Sequence, residues 1–352
     1  MTDISASLQQ QVTEAINKRT PLQICGNNTK SFLGRATQGE ALVVAEHRGI
    51  VEYDPRELVL TARAGTTLSE IEATLAEAGQ MLTFEPPHFG ERATLGGTIA
   101  CGLSGPRRPY AGAARDAVLG CKMINGTGEL LTFGGQVMKN VAGYDVSRLM
   151  VGAFGTLGVL LEVSLKVLPR PAASLTLLQE CPQHEAIQRM SQLLSQPMPV
   201  DAACYHAGQA YIRISGSEQA VKHAQKQLGG ETLNESSPFW YSLREQKLPF
   251  FHSGKPLYRV LVKPATPPLD ISGDWLLDWG GAQRWLVSDE SLTTLREKVT
   301  AAGGHVTLFR AGTQQREVFT PLPAPLLNIH QRLKNSFDPQ RIFNPDRLYP
   351  GL

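Results

Sequence analysis

The most informative part of this sequence is Lys139-Asn140-Val141-Ala142-Gly143-Tyr144-Asp145, followed by Gly152-Ala153-Phe154-Gly155-Thr156-Leu157-Gly158. A second glycine-rich segment lies upstream, Ala93-Thr94-Leu95-Gly96-Gly97-Thr98-Ile99-Ala100-Cys101-Gly102. Glycines this dense between apolar residues indicate backbone that turns sharply or approaches a ligand closely. A single glycine pair is just as typical of a turn in a β-rich domain. The order of the motifs along the chain has to separate the two interpretations.

Four glycine motifs follow one another in the first half of the chain. They are Gly26-Asn27-Asn28-Thr29, Thr94-Leu95-Gly96-Gly97, Gly143-Tyr144-Asp145 and the strand entry Gly155-Thr156-Leu157-Gly158. This succession resembles the FAD-binding domain of the p-cresol methylhydroxylase and vanillyl-alcohol oxidase superfamily. The resemblance implies an α+β fold, with a two-part FAD-binding domain of that type, an antiparallel-sheet α+β cap domain and a C-terminal helical tail.

Length and composition describe a soluble globular protein of two domains and a tail, because 352 residues exceed one ordinary core. A net charge of +2 argues against a broad nucleic-acid surface. No apolar run reaches the roughly 18 residues of a membrane span. The polar N-terminal segment lacks the pattern of a signal peptide, so we expect a cytoplasmic protein.

Cysteine and histidine spacing predicts no metal site. The five cysteines are scattered without a C-x-x-C pair, which favours reduced thiols over disulfides or an iron–sulfur cluster. The eight histidines show neither H-E-x-x-H nor H-x-H spacing.

Local patterns predict the elements and their division into domains. Thr67 and Glu70 form a capping box before an apolar stripe that ends at Gly79, which predicts a helix. Pro169 and Pro171 end a long strand and mark a boundary. We therefore expect a FAD-binding domain at 1–171, a cap domain for substrate or partner at 172–312, and a tail at 313–352 that packs back on the FAD domain. The alternation of strands and helices in the second region predicts an antiparallel sheet with helices on one face.

The loop Gly26-Asn27-Asn28-Thr29-Lys30 follows a strand. Glycine and asparagine tolerate left-handed backbone, so successive amides can point inward as an anion nest, although an ordinary turn has the same composition. The loop is not a G-x-G-x-x-G fingerprint, which argues against a Rossmann NAD site. The segment Thr94-Leu95-Gly96-Gly97 is interpreted as a second loop of close approach.

The superfamily resemblance assigns the cofactor contacts. It implies FAD held by Gly26, Asn27, Asn28, Thr29, Lys30, Thr94, Gly96, Gly97, Gly102, Gly158 and Val159. Members with covalent flavin often have a histidine in the first loop, where this chain has Thr29 and Lys30. The resemblance therefore implies noncovalent FAD.

Other segments resemble the family of FAD-binding E subunits of bacterial glycolate oxidases. They are Gly102-Leu103-Ser104-Gly105-Pro106-Arg107-Arg108-Pro109, the run from Gly134 to Asp145, and Asp278-Trp279-Gly280-Gly281-Ala282. The ending from Phe337 to Pro345 is similar to the tail of FAD-linked 2-hydroxyacid dehydrogenases. This resemblance implies glycolate as substrate, a D-type flavoprotein subunit and an F-type iron–sulfur subunit as partners, electrons passed on to quinone, and peripheral residence at the inner membrane through the complex.

The second half departs from the 2-hydroxyacid dehydrogenases, because it lacks their His-x-x-x-Asp-Gly-Asn-x-His segment. The catalytic residues stay unknown, with weak candidates in His88, His305, Arg310 and His330, and with Arg316 as a second cation for a carboxylate. A structural histidine or a solvated arginine explains each of them as well. Two alternative functions stay open: a self-sufficient FAD-dependent 2-hydroxyacid dehydrogenase, and a non-catalytic scaffold subunit of the same complex.

Overall fold

A computed structural model describes residues 2–135, 145–234, 236–310 and 317–352. The motif from Lys139 to Tyr144 and the candidate Arg316 lie outside the described residues. The chain divides into two compact units. The first comprises Met1–Leu103, Ala113–Pro169 and Pro321–Leu352, and the second comprises Ser104–Gly112 and Arg170–Thr320. The domain boundaries expected from the sequence stay predictions.

The helices, in chain order, are α1 Ser5–Lys18, α2 Leu68–Glu77, α3 Leu95–Cys101, α4 Arg108–Ala111, α5 Ala114–Ala117, α6 Val146–Leu149, α7 Gln183–Leu193, α8 Glu218–Leu228, α9 Ser236–Arg244, α10 Leu292–Ala301 and α11 Ala324–Phe337. Short 3-10 turns occupy Pro249–His252 and Trp279–Gly281. No helix of the described ranges has both the length and the apolar composition that crossing a membrane requires.

The strands, in chain order, are β1 Leu22–Cys25, β2 Glu40–Val43, β3 Ile50–Asp54, β4 Val59–Arg63, β5 Gln80–Leu82, β6 Val118–Ile124, β7 Leu130–Gly134, β8 Val159–Pro169, β9 Ala173–Glu180, β10 Val200–His206, β11 Gln209–Gly216, β12 Glu231–Thr232, β13 Leu257–Leu261, β14 Asp274–Asp278, β15 Gln283–Val287 and β16 His305–Arg310.

The first unit contains two sheets around one apolar core. Strands β1 and β2 pair in parallel. The larger sheet is antiparallel in the order β3-β4-β8-β6-β7, and β5 adds to β8. Strand β8 lies at the centre of this sheet, and apolar and polar residues alternate from Leu161 to Val167, as expected for an antiparallel strand with one face on the core.

Helix α2 confirms its predicted start and stop. The hydroxyl of Thr67 accepts a hydrogen bond from the amide of Glu70, which satisfies one of the free N–H groups of the first turn. Gly79 follows the helix with φ +66, in the left-handed conformation that glycine adopts without strain. Leu68, Ile71 and Leu75 of the apolar stripe are buried against the core.

The second unit is built on one antiparallel sheet in the order β12-β9-β11-β10-β14-β15-β13-β16. Apolar residues of α7, α8 and α10 pack on one face of it, as predicted. Helix α9 differs from the prediction, because it packs on the opposite face, where Trp240 donates to the Thr176 hydroxyl and Phe239 stacks on Tyr211. Of the four tryptophans, Trp240, Trp279 and Trp285 are buried, as expected for core residues.

The segment after Thr94 differs from its prediction, because it is not a loop. Residues 95–101 form helix α3, and the Thr94 hydroxyl accepts the Gly97 amide hydrogen bond at its N-terminus. Leu95 and Ile99, four residues apart, are both buried, so helical periodicity places them on the core face. The glycines therefore lie in the first turn of a short helix.

Candidate functional site

Two adjoining clefts open in the first unit, with empty volumes of about 540 and 640 Å³. We call them the apolar cleft and the loop cleft. They share residues from β1, from α3 and from two segments near positions 154 and 344. The shared lining residues are Ile24, Cys25, Gly26, Thr94, Gly97, Ala100, Phe154 and Asn344.

Most of the residues predicted to contact the cofactor line these clefts. The apolar cleft adds Gly96 and Gly158, and the loop cleft adds Asn27, Asn28, Thr29 and Lys30. Gly102 and Val159 line neither cleft. Gly102 ends α3 in the left-handed conformation, and Val159 is fully buried in the core.

The loop after β1 presents unused backbone donors. Asn28 has φ +58, so the chain turns through a left-handed residue at this point. Within the described residues, no hydrogen bond has the amide of Asn27, Asn28 or Thr29 as its donor. Amides that point toward open space beside a left-handed residue form an anion-binding concavity. The geometry thus has the features of the anion nest that the sequence indicated.

The two glycine-rich segments touch at Gly26. A Cβ atom at this position would lie 2.4 Å from the Thr94 hydroxyl oxygen, so only glycine permits the approach. Gly97 differs, because a Cβ there would meet only that same hydroxyl, at 3.1 Å. Gly26 is therefore required by the protein's own packing, whereas Gly97 leaves space open in the clefts.

The C-terminal segment completes the clefts with residues that were not predicted. Asn344 accepts a hydrogen bond from the Ile24 amide at 2.7 Å and donates one to the Phe154 carbonyl at 2.6 Å. Arg347 donates to the carbonyls of Ser31, Leu33 and Arg35 at 3.1, 2.6 and 2.7 Å, and so braces the chain that follows the nest. The tail motif near Pro345 was the only sequence signal for this role.

The charge of the loop cleft suits an anion. Lys30 and Arg347 are among its lining residues, and no aspartate or glutamate is among the described residues that line it. Lys30 is buried and donates to the His88 carbonyl at 3.1 Å. Burial raises the pKa of the Cys101 thiol, while the positive charges of Lys30 and Arg347 act in the opposite direction. Both cations thus act electrostatically on one wall of this cleft.

The structure does not bring the four catalytic candidates together in one cleft. His88 contacts Glu72 through its Nε2 atom at 3.2 Å and lines neither cleft. His330 lies on α11, where its Nδ1 atom is 2.9 Å from the Leu326 carbonyl oxygen. His305 and Arg310 belong to β16 in the second unit, where Arg310 donates to the Gln246 side chain at 2.6 Å. No cluster of three or more metal-binding side chains occurs in the part of the chain that the structure describes.

Comparison with known proteins identifies the family. A family model described as "FAD binding domain" matches residues 5–134, so the first unit contains a FAD-binding domain. Over 350 residues, the chain is 52% identical to "Glycolate oxidase subunit GlcE" of Escherichia coli, covering 99% of each protein. This chain belongs to the GlcE family.

Two further relatives each align with the GlcE-type chain over less than half of its length. "Glycolate oxidase subunit GlcD" of Bacillus subtilis is 34% identical over 46% of the chain and 34% of its own length. "D-lactate dehydrogenase" of Anaerostipes hadrus is 30% identical over a similar share. A solved structure of alkyldihydroxyacetonephosphate synthase superposes with a TM-score of 0.68, covering 97% of this chain and 76% of that one, at 15% identity. That similarity concerns the fold alone.

Proposed function

We propose that this chain is the FAD-binding subunit of a glycolate-oxidising complex that converts glycolate to glyoxylate. The observation that carries the proposal is the 52% identity to the glycolate oxidase subunit of Escherichia coli over nearly the whole of both chains. The resemblance to the same family, seen in the sequence motifs at residues 102–109, 134–145 and 278–282, supports the same function.

The clefts fit FAD in two complementary parts. The loop cleft offers unused amides at Asn27, Asn28 and Thr29 together with Lys30, which suits a pyrophosphate. The apolar cleft has no charged residue among its described lining residues, which suits the uncharged rings. Bound FAD supplies the redox chemistry by accepting two electrons from the hydroxyl-bearing carbon of the substrate, while the protein binds and orients it.

FAD is held without a covalent bond in this proposal. The first loop has Thr29 and Lys30 where members of the superfamily with covalent flavin often have a histidine. The ring of His88 contacts Glu72 through its Nε2 atom at 3.2 Å, and the His88 carbonyl accepts a hydrogen bond from Lys30.

The complex consists of this subunit, a D-type flavoprotein subunit and an F-type iron–sulfur subunit that passes electrons to quinone. It resides in the cytoplasm, where the complex associates peripherally with the inner membrane. The similarity of part of this chain to a relative that is itself a D-type subunit of glycolate oxidase supports this organisation.

The test is the visible spectrum and activity of the chain purified alone, compared with the chain co-expressed with its D-type and F-type partners. We expect flavin absorption from the isolated chain, and glycolate-dependent dye reduction only from the complex. A colourless chain that cannot be loaded with FAD would favour a scaffold. Equal turnover per flavin in both samples would favour a self-sufficient dehydrogenase.

A further inference from the structure

The second unit has one sheet face that is rich in arginine and aromatic side chains. On β13, Tyr258 and Val260 point into the apolar cluster that includes residues of α10. Side chains alternate along a strand, so Arg259 lies on the opposite face. There it pairs across the sheet with Trp285.

Two guanidinium groups meet at one indole ring on this face. The guanidinium carbon of Arg108 lies 4.3 Å from the ring centroid of Trp279, and that of Arg259 lies 5.0 Å from it. The ring is fixed, because it is buried and its Nε1 donates to the Gly105 carbonyl at 2.9 Å. Cation–π attraction holds both cations close to the same indole ring despite their like charge.

A hydrogen bond from one of its three nitrogens orients the Arg259 guanidinium. Its Nε donates to the Gln283 side chain at 2.6 Å, and Gln283 donates in turn to Asp278 at 3.2 Å. Asp278 also accepts the Trp279 amide hydrogen bond at 2.7 Å, so the three residues form a continuous network behind the guanidinium. No described residue accepts a hydrogen bond from the two terminal nitrogens of Arg259.

Other arginines of this unit are used differently. Arg284, on the neighbouring strand, donates through all three of its nitrogens to the carbonyls of Gly281, Pro267 and Thr266. Arg213 contacts the Asp201 carboxylate at 2.6 Å. Arg259 is thus fixed through its Nε atom, while its two terminal nitrogens can donate hydrogen bonds to a ligand.

Electrostatics favours an anion at this end. Burial, and then the positive charge of Arg108, lower the pKa of Arg259 to about 10, while Asp278 acts in the opposite direction. The group is charged at neutral pH, and its positive neighbour has a larger effect than its negative one. A carboxylate would relieve this excess of positive charge.

We propose that Arg259, with Arg108 beside it on Trp279, binds the carboxylate of a small 2-hydroxy acid in the second unit. The planar fork of an arginine matches both oxygens of a carboxylate. The choice of a 2-hydroxy acid rests on the proposed function, whereas the anion site itself rests on the geometry.

The test uses the FAD-loaded full chain and titrates it with glycolate, following tryptophan fluorescence and binding heat. We expect a saturable signal, and at least about tenfold weaker binding for Arg259→Met, since a hydrogen bond to a charged group is lost. Arg259→Lys keeps the charge but loses the planar fork, so its affinity for glycolate should lie between those of the wild type and Arg259→Met. Trp279→Phe should lose the fluorescence response and keep a measurable binding heat. The matched control is Arg189→Met, an exposed arginine of α7.

Two results would overturn the site. One is wild-type affinity for glycolate in a folded Arg259→Met variant. The other, which needs no variant, is equal binding of glycolate and its uncharged methyl ester. Dye reduction by the co-expressed complex separates this inference from the proposed function. Binding of glycolate without oxidation would leave the site in place and remove the function. Oxidation by the complex together with wild-type glycolate affinity in the Arg259→Met chain would remove the site and leave the function.

Discussion

Replacing Gly97 with alanine should weaken FAD binding without unfolding the protein. The added methyl group would meet only the Thr94 hydroxyl within 4 Å, at 3.1 Å, and Gly97 lines both clefts. Its φ is not positive, and it lies within α3. Alanine inside a helix is more stable than glycine by about 0.5–1 kcal/mol, so the FAD-free protein should be as stable as the wild type or slightly more stable.

The same methyl group occupies space that FAD needs. Overpacking by one such group typically costs about 1–3 kcal/mol, which corresponds to a Kd for FAD that is roughly 5 to 150 times higher. The assay is titration of the FAD-free chain with FAD, followed by quenching of flavin fluorescence, together with thermal unfolding of the FAD-free chain. Weaker FAD binding, together with unchanged or higher stability of the FAD-free chain, is the result expected for a residue that faces a ligand.

Gly96→Ala is the matched control for this prediction. A Cβ at position 96 would lie 2.7 Å from the Ala64 Cβ and 3.1 Å from the Ala64 carbonyl oxygen, so it strikes the protein itself. We expect this variant to lose stability even without FAD. If Gly97→Ala binds FAD with the wild-type Kd while remaining folded, the clefts do not hold the cofactor and the reasoning fails.

Three further outcomes are expected. Arg347→Met should raise the Kd for FAD at least about tenfold, because three charge-assisted hydrogen bonds to the chain that follows the anion nest are lost, whereas the tail variant Arg341→Met should not. Acid or detergent denaturation should release all of the flavin from the polypeptide, and yellow colour retained by the chain after gel filtration would contradict noncovalent binding. Burial lowers the pKa of His47 below its usual 6.5, so the unfolded chain binds the proton more readily and the free energy of unfolding should fall as the pH drops below about 6.5. Chemical unfolding between pH 8 and 5 checks this, and His47→Gln should flatten the profile; an equally steep decline in that variant would assign the effect to another group.

Elements with strong local signals were predictable from the sequence. Helix α2 needed only its Thr67 cap, its apolar spacing and Gly79, all of which lie within a dozen residues or so of one another. Asn125-Gly126-Thr127-Gly128 between two apolar runs is a pattern that predicts a hairpin, and β6 and β7 pair on either side of it. In these cases the local preference and the final packing agree, so the pattern is sufficient.

Helix α3 shows where local signals mislead. Two adjacent glycines disfavour a helix by about 1 kcal/mol each, so the sequence favoured a loop. Tertiary packing reverses this preference, because Leu95 and Ile99 are buried and Thr94 caps the first turn. The intrinsic preference is small compared with about 1.5–3 kcal/mol for burying each large apolar side chain.

The lining of the clefts was only partly predictable, for a topological reason. Asn344 contacts Ile24 across a sequence separation of 320 residues, and no local pattern specifies such a contact. Arg347 likewise reaches Leu33 across 314 residues. The family resemblance of the tail indicated that the segment matters without indicating which cleft it completes.

The C-terminal tail also stabilises the glycine motif at residues 155–158, because a side chain of helix α11 donates a hydrogen bond to this motif. Lys334 is buried, and its ammonium group donates to the Thr156 carbonyl at 2.7 Å, to Asp338 at 2.8 Å and to the Phe343 carbonyl at 2.8 Å. Asp338 in turn accepts the amide hydrogen bond of Phe343 at 2.8 Å. Removing one member would leave the other as an unpaired buried charge, which typically costs about 3–5 kcal/mol. The polypeptide up to residue 171 therefore lacks the groups that satisfy its own motif, and the first unit is complete only when the tail has returned to it.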